Sequence, residues 1–193
     1  GRSHNVESSA ASEVDKRQVV ACAPAHWLAG GVARATQGQV QLLQPRGTVW
    51  TGSAQLVLTG GQASKDSAAL PGRVDWQLRP TWGGLRARLQ AGCCTPEPLQ
   101  AQVHLRWAGP QITLADGQSQ WPAALLAGLG TPWNTLQPQG QLALQTRALA
   151  VQWAAVRMVL SGQAQLDARA MSSRLSTLRP MGSYRLVLQG GEV

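Results

Sequence analysis

The chain has 193 residues and a formal net charge of +8, with eight Trp, one Tyr and no Phe. That length suits one domain, or two very small ones, with a sizeable core and no need of staples, and no run of about 20 apolar residues is present to span a bilayer as a helix. The basic excess is Arg dispersed along the chain (Arg73, Arg79, Arg86, Arg88, Arg106, Arg147, Arg157, Arg169), without an RNA-binding aromatic signature or a helix-turn-helix pattern, which argues against nucleic-acid binding.

Residues 1–17, GRSHNVESSAASEVDKR, are polar and lack apolar periodicity, so they read as a linker or disordered leader outside the fold. Residues 18–193 read as a single β-rich domain. Pro24 suits a first helical position, and Trp27, Leu28, Val32 and Ala35 make an approximate stripe that predicts a helix over Ala25–Thr36, ended by Gly38. Gly30–Gly31 weakens that helix. Period two then takes over. Trp50, Ala54, Leu56 and Leu58 share one face with Gly52; Val74, Trp76 and Leu78 share another. Leu85, Ala87 and Leu89 alternate with Arg86, Arg88 and Gln90. Ala101, Val103, Leu105 and Trp107 follow the same rule, as do Tyr184, Leu186 and Leu188. Such alternation predicts half-buried antiparallel strands, with Trp50, Trp76 and Trp107 facing a core. Gly-Gly, Gly-Pro and Ala-Asp-Gly punctuate them as turns.

Trp121–Leu129 breaks the alternation, and Pro122 followed by AALLAGL predicts a second short helix. A long strand pair, Gly140–Arg147 and Ala148–Arg169, is expected after it. The expected fold is therefore mainly antiparallel β: a curved sheet, or an incomplete barrel or sandwich, wrapping a helix. TGSAQL at Thr51–Leu56 and SGQAQL at Ser161–Leu166 are each followed by LRP. They suggest two similar β-meander halves, about 39–107 and 139–190, or a coincidence in an Ala/Gln/Leu-rich chain.

Chemistry needs paired acid/base groups, an activated nucleophile or a metal. Asp66, Asp75, Glu97, Asp116, Asp167 and Glu192 form no recognisable pair, and His26 and His104 have no partner at ligand spacing. The expectation is no catalytic, cofactor-binding or metal residue, and no enzyme. Cys93 and Cys94 are adjacent. In an oxidising compartment they would form a vicinal bridge, the favoured option; a bridge from Cys22 to one of them, or free thiols, are the alternatives. Trp82 and Trp133 fall at loop positions, where Trp is frequent in binding surfaces, against the plainer reading of a Trp folded onto the core edge.

Five blocks carry a resemblance: PAHWLAGGVA (Pro24–Ala33), RGTVWTGSAQL (Arg46–Leu56), LPGRVDWQLRP (Leu70–Pro80), GLGTPWNTLQPQGQL (Gly128–Leu142) and LSTLRPMGSY (Leu175–Tyr184). Taken in order, they resemble the protein N family of the bacterial type II secretion system. The resemblance implies a non-enzymatic assembly component, the periplasmic domain of a single-pass inner-membrane protein whose helix precedes Pro24. Its partners would be other secretion components, with no nucleic acid and no small-molecule ligand. Within the blocks, Trp50, Gly52, Trp76, Pro80, Pro132, Pro180, Gly182 and Tyr184 are expected to be structural, with Pro180–Gly182 turning the chain into a last strand. Arg174 and Arg179 are further candidates for partner contact. A second reading is a periplasmic carrier or sensor of a hydrophobic or lipid ligand. A deep open apolar concavity would favour it, and a filled core would oppose it.

Overall fold

The computed structural model describes residues 22–61, 64–107, 109–154, 157–175 and 182–190. The leader at 1–17, Arg179 and Pro180 lie outside them.

Helix α1 (Ala25–Ala35) begins after Pro24, whose extended backbone (ψ 149°) sits at the N-cap. It ends where the Thr36 hydroxyl donates to the Val32 carbonyl (2.8 Å) and accepts from the Val40 N–H (3.1 Å). That clasp turns the chain straight into the first strand. Ala25 is buried, and Leu28 packs with it against Ala54 and Trp76.

Among the described residues eleven strands follow, in one open antiparallel sheet. They are β1 (Val40–Gly47), β2 (Thr51–Thr59), β3 (Ser67–Ala69), β4 (Val74–Thr81), β5 (Gly84–Ala91), β6 (Leu99–Arg106), β7 (Gly109–Leu114), β8 (Gly117–Pro122), β9 (Gln139–Ala154), β10 (Arg157–Ser172) and β11 (Gly182–Gln189). The spatial order is β1-β2-β4-β5-β6-β7-β9-β10-β11, so the segments 39–107 and 139–190 belong to one continuous path. Two strands fork. Thr51–Ala54 of β2 pairs with β4, whereas Val57–Thr59 pairs with β3. Gln141–Thr146 of β9 pairs with β8, whereas Ala150–Gln152 pairs with β7.

A 3-10 helix (Ala123–Leu129) and a single α-turn, α2 (Trp133–Leu136), connect β8 to β9. The 3-10 helix touches β2, β3 and β9. Gly128 makes this possible: a Cβ there would lie 2.6 Å from the Ala68 nitrogen and against the Leu58 carbonyl. The helix expected over Trp121–Leu129 is thus present, wound tightly, and starts after Pro122.

The core has two parts. Leu70, Ala91, Cys94 and Leu125 form one, flanked by Leu56, Leu58, Ala68, Val74 and Trp121. Ala25, Ala54 and Trp76 form the other, flanked by Leu28, Leu42 and Leu78. Trp76 is 3% exposed and stands directly opposite Gly52 across the β2–β4 pair. A Cβ on Gly52 would come within 2.6 Å of the indole, so the missing side chain is the seat of the ring. The indole N–H is shared between the carbonyls of Thr48 (3.2 Å) and Val49 (3.1 Å).

Three expectations need correction. Trp107 is fully exposed, not core: β6 ends at Arg106, and the residue after a strand end no longer obeys the pleat. Tyr184, Leu186 and Leu188 are also exposed, at 56%, 62% and 61%, because β11 is the last strand. Among the described residues the helices pack chiefly on β1, β2, β3 and β9. The break expected between Arg147 and Ala148 is a bulge inside β9. Ala148 has φ +46°, and the register shifts between Ser161 and Gln163 on β10. The actual reversal falls between Ala154 and Arg157.

Candidate interaction site

Asp66, Asp116 and Asp167 serve the scaffold. Asp66 accepts from the Asn134 side-chain amide (2.9 Å), tying α2 to the segment before β3. Asp116 accepts the Ala148 N–H (2.6 Å) and so holds the bulge of β9. Asp167 is bonded by Arg185 (2.8 Å), by the Gln165 amide (3.1 Å to each oxygen) and, more loosely, by Arg169 (3.6 Å). The Arg185 hydrogen bond, helped by Gln165 and by the charge of Arg169, holds the Asp167 carboxyl below the usual carboxylate range despite opposing desolvation. His26 is exposed and stands edge-on to Trp27, at 6.4 Å between ring centres. Among the described residues no three His, Cys, Asp or Glu side chains gather where a metal could sit.

Cys93 and Cys94 are joined by a disulfide in the turn after β5, and Cys22 is an exposed free thiol. Cys94 is buried in the first core cluster, and its carbonyl accepts the Gln120 N–H (2.7 Å). Thr95 closes the turn, accepting the Ala91 N–H at 2.8 Å. The turn therefore ties the end of β5 to β8. With Leu70, Leu125 and Trp121 beside it, the face beneath Leu56 and Val74 is filled and not an open concavity.

The residues singled out from sequence scatter over several elements. Gly52 and Trp76 meet face to face, and the Trp50 carbonyl accepts the Leu78 N–H (2.6 Å) beside them. Pro80 lies near the end of β4, and Trp82 follows in the turn, fully exposed. Pro132 caps α2, whose first residue, Trp133, is 38% exposed. Arg174 is exposed, with its guanidinium on the Gln137 amide oxygen (3.2 Å) and its N–H on the Leu136 carbonyl (3.2 Å). Gly182 and Tyr184 open β11.

The apolar surface that sequence reasoning missed lies on β11. Tyr184, Leu186 and Leu188 present one face and Val187 the other, all more than half exposed. Among the described residues β11 pairs on one side only, with β10. Its alternation was visible in the sequence, but no signal said that both of its faces would be more than half exposed.

The molecule is thus an open-sheet β protein whose last described strand and hairpin tips carry exposed apolar side chains. A family model described as type II secretion system (T2SS), protein N matches residues 38–193. The chain belongs to that family, and its role is in type II secretion. No curated protein and no solved structure matches the chain.

Proposed function

We propose that this chain is a non-enzymatic assembly component of the type II secretion machinery, facing the periplasm and tethered to the inner membrane by a helix before Pro24. It engages another secretion component by adding that partner's strand to β11. The observation that carries this reading is the edge itself. Among the described residues β11 pairs in the sheet with β10 alone, and Leu186, Val187 and Leu188 stand exposed along it. Strand addition uses main-chain hydrogen bonds for affinity and side chains for selection. The Asp167–Arg185 pair holds β11 in register on β10, so the edge is presented preformed. Such work needs no reacting side chain, and Asp66, Asp116 and Asp167 support the reading by serving structural contacts. No described helix is long and apolar enough to cross a membrane; the tether rests on the family resemblance around Pro24.

The test is photo-crosslinking in cells from Val187 or Leu188 of the full-length protein, alongside a secretion assay. A crosslink to another secretion component is expected. Leu186→Lys/Leu188→Lys should lose both the crosslink and secretion while the protein accumulates normally. The untethered domain should restore secretion poorly at native levels, because a tether confines both partners to one surface. Full secretion by the double-lysine variant would remove β11 from the account.

A further inference from the structure

Two of the most exposed side chains in the molecule are Trp82 and Trp107, at 103% and 108% of reference exposure. Single exposed apolar residues are ordinary, but these two are neighbours in the fold. Trp82 lies in the β4–β5 turn and Trp107 follows β6 at the turn into β7. The Leu105 N–H donates to the Gly83 carbonyl (2.8 Å), so the two hairpin tips are joined side by side at one end of the sheet. Leu105 itself is 72% exposed and adds to the apolar tip.

Behind the tips lies a cluster of positive charge. Arg79 stands directly opposite Arg86 across the β4–β5 pair, and Arg88 is two residues further along the same face. All three line one shallow depression with Gln77 and Gln100. The ion pairs among the described residues are those of Asp167, and none involves these arginines. Like charges directly opposite each other destabilise a sheet. The chain nonetheless places two guanidinium groups in register, on a molecule already at +8. An external anion relieves that repulsion.

The geometry points to a lipid-surface docking site: the β4–β5 and β6–β7 tips insert Trp82, Trp107 and Leu105 among the headgroups of an anionic bilayer, while Arg79, Arg86 and Arg88 meet the lipid phosphates. Trp favours that depth because its ring is apolar and its N–H polar. Arg can bury its stem and keep its charge at the phosphate level. A protein partner would have to supply a pocket for each protruding indole, whereas a bilayer interface receives convex tips without one. The inference uses other strands than β11 and concerns the purified chain, so it stands or falls apart from strand addition.

The test is co-sedimentation with vesicles of phosphatidylethanolamine and phosphatidylglycerol, against vesicles of phosphatidylcholine alone. Retention by the anionic vesicles is expected, with a blue shift of Trp emission. Retention should weaken in high salt, where the screening length falls from about 10 Å to about 3 Å. Trp82→Ser/Trp107→Ser should lower partitioning on the order of tenfold while leaving the melting temperature unchanged. Arg79→Gln/Arg86→Gln should lower it by about fivefold per arginine and at the same time raise the melting temperature, since a repulsion is removed. Equal retention by neutral vesicles, or undiminished retention of the serine variant, overturns the proposal. So does indifference to anionic vesicles in a protein that instead binds polyglutamate, an outcome that would assign the surface to an acidic protein.

Discussion

Replacing Trp76 by Ala removes the residue on which α1 and the first two strands converge. The ring is 3% exposed. A Trp side chain buries on the order of 200 Å², worth about 5 kcal/mol at ~25 cal/mol per Å². That figure is an upper bound, because the unfolded chain already shields part of the ring. The carbonyls of Thr48 and Val49 also lose their shared donor, and the cavity opens under Ala25 and Leu28. The expected cost is about 4 kcal/mol, within the range for aromatic-to-Ala changes in cores. For a chain of this size it lowers the melting temperature by roughly 10 °C. Trp76→Phe keeps most of the apolar contact and loses the donor, so it falls between. Trp107→Ala is the control: a fully exposed side chain should change stability by about 0.5 kcal/mol or less. Urea unfolding followed by far-UV circular dichroism measures all three. Equal midpoints for Trp76→Ala and Trp107→Ala would refute the placement of the core.

Asp167 makes stability depend on acid. Its folded-state carboxyl titrates below the unfolded value, so its contribution is fully present above about pH 4–5 and is lost as pH falls through the folded value. Urea midpoints of wild type and Asp167→Asn should accordingly converge below about pH 4 and separate above it. Gly128→Ala places a Cβ 2.6 Å from the Ala68 nitrogen and should cost about 1–3 kcal/mol, read from thermal melts. Thiol titration of the denatured protein should find one reactive thiol, Cys22, before reduction and three after it.

Much of the strand pattern was legible because alternation records two faces. The stretch Arg73–Arg79 gave Val74, Trp76 and Leu78 together, and all three do pack on the core: Trp76 and Leu78 on the α1 side, Val74 against the cluster of Leu70, Ala91 and Leu125. Alternation does not say whether a given face is covered. Leu105 and Leu186 alternate as well as Trp76 does, yet both are exposed, because coverage depends on where helices far along the chain come to rest. The strand order was likewise out of reach. The forks of β2 and β9 depend on pairings such as Thr113 with Ala150, which no local signal encodes. The bulge at Ala148 passed for a turn because a residue of ordinary composition occupies a left-handed position there, held by a carboxylate from Asp116. Of the site, the loop position of Trp82 was readable from PTWGG. The exposure of Trp107 and of β11 was not.

The two ends of the strand path are not alike. At one end, β1 changes register between Leu43 and Arg46, with Gln44 at φ +48° and a proline at position 45. A kinked strand that lacks one donor is a poor template for another strand. At the other end, β11 has no proline, and its one charged residue, Arg185, is engaged with Asp167. The sheet is therefore polar in the sense that a crystal face is polar. Propagation into a fibre needs two compatible edges per molecule, and of the two ends of this strand path only β11 has that character among the described residues. A strand that joins β11 therefore extends the sheet in one direction along the path.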